Sequence, residues 1–266
     1  MEQAGPTVDG VASGLPAIVL AAGLGTRLRP LTDHVPKALC PVGNRPLIDH
    51  ALDRVAGFGD IAVNVHHGRA LLEAHLGSRD IHLSVEAKRP LGTAGAIGNL
   101  RDWLDGRPAL ITNADAWYTG SLERLYAGWD GRRVRLGVVF DPARADFAGL
   151  WRFAGSSLLP WRWASTLPAE PGGLYELCWS RAGREGSLDL VPLEGSFIDC
   201  GAPRDYWAAN MTWSGGVSVV APSATVDGEV LRSVVWPGSA VGPEERLVEA
   251  IRLPDGTTVY PTLADG

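Results

Sequence analysis

The sequence predicts an α/β domain built on a mainly parallel sheet and followed by a short β-rich tail. Three observations carry that expectation. Between Ala17 and Phe140, short apolar runs of strand-like period take turns with amphipathic helical segments. A glycine-rich loop follows the first of these runs directly, at the place where an open parallel sheet receives its ligand. Within Val220–Val226, Val235–Val241 and, more weakly, Leu253–Val259, apolar residues recur six apart, a period that marks a parallel β-helix.

At 266 residues the chain can bury a full core and still carry an appendage. We divide it into an N-terminal tail (1–15), a main domain (16–215) and the repeat tail (216–266). The opening MEQAGPTVDGVASG lacks the basic start of a signal peptide, and no apolar run reaches the roughly 20 residues of a spanning helix. A mobile N-terminal tail, a cytoplasmic location and no membrane partner are expected. A net charge of −6 argues against nucleic-acid binding as the main task. Cys40, Cys178 and Cys200 are odd in number and without a CxxC pair, so neither a disulfide framework nor a zinc site is indicated.

The elements follow in order. Ala17 to Ala21 reads as a buried strand; Asn44-Arg45 makes a turn, and Pro46 opens a helix whose apolar face is Leu47, Ile48, Ala51, Leu52 and Val55, ending near Gly57. Strands at Ile61–Val65 and Ile81–Val85 flank a short helix at Arg69–Leu76, and small residues before Ala96 lead into a helix carrying Ile97, Leu100, Trp103 and Leu104. Ala109–Thr112 is a buried strand, Ser121 caps a helix running to Trp129, and Arg133–Phe140 is another strand. From Asp141 to Gly195 the pattern is hard to read. Phe147, Trp151, Phe153, Trp161, Trp163 and Trp179 make this region aromatic, with most of them expected to fill core. Pro203 starts a last helix that ends near Gly215.

The chemistry concentrates in AIVLAAGLGTRLRPLTDHVPKALCP, from Ala17 to Pro41. Glycines after a strand let backbone N–H groups turn inward as a phosphate cradle. Arg27 adds a planar fork and Lys37 a point charge, a combination suited to a triphosphate. The dinucleotide fingerprint fails because Leu28 stands where its third glycine is needed, and the P-loop fails because Gly25-Thr26-Arg27 replaces Gly-Lys-Ser/Thr. Only Lys37 and Lys88 are lysines among 24 basic residues, so an ammonium at Lys37 stands out. His66 and His67 are neighbours that point in different directions, and no third ligand is suitably spaced, so they are read as loop lining and not as a metal site.

The string Leu20-Ala-Ala-Gly-Leu-Gly-Thr-Arg-Leu-Arg-Pro-Leu-Thr32 with Pro36-Lys37 resembles the signature of the sugar-1-phosphate nucleotidylyltransferases. Pro90-Leu-Gly-Thr-Ala-Gly-Ala96 resembles their base-reading segment, Asn113-Ala114-Asp115 their Asn-Gly-Asp motif, and Phe197 to Tyr206 their second aspartate segment. The resemblance implies a Rossmann-like, glycosyltransferase-A-like domain and transfer of a nucleotidyl group from a nucleoside triphosphate to a sugar 1-phosphate. It places the nucleotide against Leu20, Ala21, Ala22, Gly23, Gly25, Thr26, Arg27, Glu86, Pro90, Leu91, Gly92, Thr93 and Asn113. It also implies Mg2+ on Asp115 and Asp199, Lys37 at the α-phosphate and Arg27 at the departing phosphates. The Ala-Ala-Gly loop leans toward UTP or dTTP, with GTP a further option.

Two departures stand out. Ala114 replaces a glycine, and its methyl could crowd the sugar or phosphate. The family's acceptor-phosphate lysine has no counterpart after position 88, which makes Arg144 the first choice for that cation, with Arg152 and Arg162 behind it. Alternatives are a non-hexose acceptor (cyclitol phosphate, phosphonate or phosphorylated alcohol) and a non-catalytic regulatory subunit. The tail resembles hexapeptide-repeat, left-handed β-helix tails, which implies a homo-oligomer contact.

Overall fold

The computed structural model describes residues 14–261. Most of the expected 1–15 tail therefore lies outside the described residues, but Leu15 is not tail: it is buried in the core and its carbonyl accepts the Gly59 N–H. In chain order the strands of the main domain are β1 (Ala17–Leu20), β2 (Pro41–Val42), β3 (Arg45–Pro46), β4 (Ile61–Val65), β5 (His82–Val85) and β6 (Ala109–Asn113). They continue with β7 (Ala116–Tyr118), β8 (Val134–Phe140), β9 (Trp151–Leu159), β10 (Leu188–Pro192) and β11 (Phe197–Asp199). The longer helices are α1 (Leu47–Arg54), α2 (Arg69–Leu76), α3 (Gly92–Asn99) and α4 (Pro203–Ser214).

A seven-stranded sheet runs in the order β10-β8-β9-β6-β1-β4-β5. Its neighbours pair in parallel except where β9 meets β6 and β8. This is the mainly parallel α/β sheet that the sequence predicts, with one strand reversed. Both faces are apolar, as they must be when helices cover both. Val19, Val63 and Leu110 pack with Ile48, Leu52 and Leu72 of α1 and α2 on one face. Ile18, Ala62 and Ile111 pack with Ile97 of α3 and with Leu174 and Trp179 on the other.

Strand β9 lies in the region where sequence patterning fails, because Arg152, Gly155, Ser156 and Ser157 interrupt its alternation. The buried Ser156 is satisfied by the Thr112 hydroxyl at 2.9 Å. Gly155 has φ +76°, and a Cβ there would lie 2.7 Å from that of Ala116, close to where the β8–β9 register shifts. Glycine and bulge together re-aim the start of β9.

Smaller expectations change. The turn near Asn44 is centred on Gly43-Asn44, whose φ values of 61° and 62° suit the tight hairpin joining β2 and β3. The helix expected from Ser121 to Trp129 is one turn, Glu123–Tyr126, with the Ser121 hydroxyl accepting the Glu123 N–H. Helix α3 starts at Gly92, so the small residues read as its approach are part of it. Trp163 and Trp179 are buried, while Phe147, Trp151, Phe153 and Trp161 are partly buried against the same core.

In the tail, Val219–Val220, Val234–Val235 and Ile251–Arg252 pair in parallel, as do Thr225–Val226 with Ala240–Val241 and Glu229–Leu231 with Arg246–Val248. Val219, Val234, Trp236, Ile251 and Leu253 pack on Leu28, Leu31, Val42 and Tyr206. The Trp236 indole N–H donates to the Tyr206 hydroxyl at 3.0 Å. The tail thus rests on its own main domain.

Candidate active site

Strand β1 is central, and the chain leaving it at Leu20 enters the crevice at the carboxyl ends of β1, β4 and β6. Asn64 on β4 accepts the Ala21 N–H at 2.7 Å through Oδ1 and donates from Nδ2 to Glu86 Oε1 at 2.7 Å. Glu86 Oε2 accepts the Leu91 N–H at 2.6 Å. A buried polar chain therefore ties the loop after β1 to the segment entering α3. At Gly25, φ is +66° and a Cβ would meet Thr32 at 2.8 Å, while the Thr32 hydroxyl donates to the Gly25 carbonyl at 2.8 Å. The loop is closed on itself, with Leu28 buried beneath it and Arg27 exposed.

A cleft of about 170 Å³ is lined by Leu20, Ala22, Gly23, Asn64, Pro90, Gly92, Thr93, Asn113 and Asp115. Seven of the residues expected to bind nucleotide are in that wall. Ala21, Glu86 and Leu91 support it from behind through the bonds just described, and Gly25, Thr26 and Arg27 are not among its lining residues. Glu86 has both oxygens occupied by protein donors, so it holds the wall and does not reach into the cleft. Asn64 was not anticipated. Its signal was a lone amide in the otherwise apolar IAVNV of β4.

The small residues of α3 have a second task. A Cβ would lie 2.6 Å from the Gly172 carbonyl oxygen at Gly92, 2.2 Å from that of Glu170 at Gly95 and 2.3 Å from that of Pro168 at Gly98. The stripe therefore admits the backbone of residues 168–172, with Ala94 donating to the Gly172 carbonyl and Gly172 to the Leu91 carbonyl, each at 3.0 Å. This packing accounts for the stripe without any bound base.

Asp115 follows β6 and Asp199 ends β11. They meet because β7 and β11 pair antiparallel with Ala116 opposite Asp199, and the Cys200 N–H donates to the Asp115 carbonyl at 3.1 Å. Lys37 lies between them, its Nζ hydrogen-bonded to Asp115 and 3.6 Å from Asp199. Burial alone would lower the Lys37 pKa, but the two carboxylates outweigh it and hold it above the usual lysine value. The carboxylates themselves remain 32% and 36% exposed. Arg54 braces this floor from α1, donating to the Thr112 hydroxyl and the Ala116 carbonyl; burial of its guanidinium draws its pKa down to about 10. Ala114 is buried with its N–H on the Leu20 carbonyl, so its methyl joins the core and does not crowd the cleft.

The family model described as "Nucleotidyl transferase" matches residues 16–144. An N-acetylmuramate alpha-1-phosphate uridylyltransferase of Caulobacter vibrioides is 40% identical over 228 residues, covering 73% of this chain and 94% of that protein. The chain belongs to the sugar-phosphate nucleotidyltransferase family. A mannose-1-phosphate guanyltransferase of Neurospora crassa is 29% identical over 225 residues, covering 71% of this chain and 62% of the relative. Among solved structures, a UDP-glucose pyrophosphorylase from Acinetobacter baumanii superposes with a TM-score of 0.61 at 17% identity, over 75% of this chain and 93% of that one, a likeness of fold.

Beyond Asp115 this nucleotidyltransferase opens a second pocket of about 170 Å³, lined by Asn113, Asp115, Ala116, Asp146, Arg152, Phe153, Phe197 and Asp199. Of the three arginines considered for the acceptor, only Arg152 is in its wall. Arg144 is half-exposed and paired with Asp205 at 2.8 Å; Arg162 lies 5.5 Å over the Trp163 ring and lines a different pocket with Arg181 and Glu185. A third, apolar pocket adjoins Asn113 and Phe153 and is walled by Leu174, Tyr175 and Trp179, with Ser157 in its lining. Tyr175–Trp179 is a π-helical turn, a geometry frequent at functional sites.

Proposed function

We propose that the enzyme transfers a uridylyl group from UTP to a sugar 1-phosphate, giving a UDP-sugar and pyrophosphate. The observation that carries this reading is the convergence of Lys37, Asp115 and Asp199 at the junction of two pockets, one against the glycine loop and one against β9. Two anionic substrates can then meet at one charged centre. The likeness to the Caulobacter uridylyltransferase and the Ala-Ala-Gly loop support UTP over GTP.

In the reaction an oxygen of the acceptor phosphate bonds to the α-phosphorus as the bond to the bridging α–β oxygen breaks, and pyrophosphate leaves with the electron pair. No covalent protein intermediate is required, because the acceptor is already an anionic nucleophile. The protein positions the two anions and offsets their repulsion. Lys37, held in place by Asp115, faces the α-phosphate, and Arg27 on the loop side takes the departing phosphates. The donor set suits magnesium, since two part-exposed carboxylates supply hard oxygens and leave the remaining positions to phosphate oxygens and water. Asp115 and Asp199 would hold the ion, which supplies charge neutralisation at the phosphates when bound.

We read the tail as a short left-handed parallel β-helix that braces α4 and the segment after the glycine loop, and its outer side as the place for any contact between copies. No helix among the described residues is long and apolar enough to cross a membrane.

The test is pyrophosphate release from UTP, dTTP and GTP, each against N-acetylmuramate, glucose and mannose 1-phosphates. Magnesium-dependent turnover with UTP is expected, and Asp115→Ala or Asp199→Ala should lower it by about 100-fold or more with the circular dichroism spectrum unchanged. Absence of pyrophosphate with every pair refutes the function, and full activity in EDTA refutes the metal assignment.

A further inference from the structure

The second pocket needs a cation for the acceptor phosphate, and the side chains around it leave few choices. Lys37 is engaged by both aspartates, Arg144 by Asp205, and Arg162 lies over Trp163. Arg152 is different. Its side chain is 16% exposed and in the pocket wall, and although it pairs with two carboxylates, both contacts are long: a hydrogen bond to Asp141 at 3.5 Å and an ion pair with Asp199 at 3.8 Å, against 2.8 Å for Arg144 and Asp205.

Topology explains how it comes to be there. Strand β9 is the reversed one, so its amino end lies at the carboxyl ends of β6 and β8, with Arg152 opposite Val139 near the end of β8. A residue at the start of β9 therefore enters the crevice that also receives Asp115. The guanidinium lies over the Phe197 ring, its central carbon 5.2 Å from the ring centroid, a cation–π contact that helps hold the fork in the pocket wall. A rigid planar donor with two loosely held faces suits two oxygens of one phosphate.

We infer that Arg152 is the acceptor-phosphate residue of this enzyme, binding the sugar 1-phosphate through its guanidinium fork and aligning the attacking oxygen. This rests on the proposed transfer to a sugar 1-phosphate. With the phosphate absent, Asp141 and Asp199 offset the charge of Arg152; with it bound, the fork turns to the more highly charged anion.

The experiment is steady-state kinetics of wild type, Arg152→Ala, Arg152→Lys and Arg144→Ala, with the best acceptor of the panel above and UTP varied separately at saturating magnesium. Arg152→Ala should raise the acceptor KM by about 10- to 100-fold and lower kcat, with the UTP KM within about two-fold of wild type. Arg152→Lys should fall between, because it keeps the charge and loses the fork. The half-saturating magnesium concentration should stay the same, which separates phosphate binding from support of Asp199. An unchanged acceptor KM in Arg152→Ala, equal rises in both KM values, or a larger acceptor effect in Arg144→Ala overturns the assignment. A wild type that turns over no acceptor fails the proposed function instead, and this inference with it.

Discussion

The polar chain Ala21–Asn64–Glu86–Leu91 allows an exchange experiment on its own geometry. In the native arrangement the Asn64 amide must present its oxygen to the Ala21 N–H and its nitrogen to Glu86, while Glu86 accepts at both oxygens. Glu86→Gln breaks this pattern, because the new amide must aim its NH2 at either the Asn64 NH2 or the Leu91 N–H. Flipping Asn64 only moves the conflict to Ala21. One buried donor is left unsatisfied in every arrangement, at a cost of about 1–3 kcal/mol. Asn64→Asp sets two carboxyl groups against each other at a contact now 2.7 Å long, and should cost at least about 2 kcal/mol. The double variant restores complementarity: the new carboxylate at position 64 accepts from Ala21 and from the new amide at position 86, whose oxygen in turn accepts from Leu91. We expect it to lie within about 1 kcal/mol of wild type, a coupling of about 3 kcal/mol between the sites. Urea denaturation at constant m-value reads the stabilities, and the KM for UTP should follow the same order, since the chain holds two walls of the cleft proposed for the nucleotide. If the two losses simply add in the double variant, the chain is not a connected network and the reasoning fails.

Four further outcomes can be checked. The Ser157 hydroxyl is buried without a hydrogen-bond partner, so Ser157→Ala should stabilise the protein by about 1 kcal/mol, seen as a melting temperature higher by ~2–4 °C, and a lower melting point refutes this. Trp236→Ala should cost about 3–5 kcal/mol in chemical denaturation, since this buried indole joins the tail to Tyr206, and a loss below about 1 kcal/mol would mean that the tail does not brace the domain. Burial pushes the Cys40 and Cys178 thiols up to about 12 and raises Cys200 as well, so all three should resist a thiol-specific reagent until the protein unfolds. The folded pKa of each exceeds the unfolded value of about 8.5, so the unfolded state releases protons first. Stability should therefore hold below about pH 8.5 and fall as pH rises toward 12, by at most ~1.4 kcal/mol per unit for each thiol; stability that rises with pH in that window contradicts the assignment.

The amino-acid sequence by itself determined the alternation of strands and helices up to Phe140, the glycine loop after β1 and the three charged residues Lys37, Asp115 and Asp199. The alternation, the loop and Asp115 were legible from local causes (a period of apolar residues, a loop that needs glycine, a carboxylate at a strand end), Lys37 as a point charge close after the loop, and Asp199 only through the resemblance of its segment to the family's motif. Tertiary structure alone decided what those local pieces touch. Glu86 looked like a nucleotide ligand, but Asn64 and Leu91 occupy both its oxygens; the glycines of α3 face the carbonyls of residues 168–172 as well as the cleft. Arg144, first choice for the acceptor on its place after β8, is paired with Asp205, whereas Arg152 reaches the pocket because β9 runs backwards through the sheet. Strand direction and register are set by pairings between residues far apart in the chain, and in β9 the polar and glycine residues hide even the local alternation, so no window of the sequence contains that information.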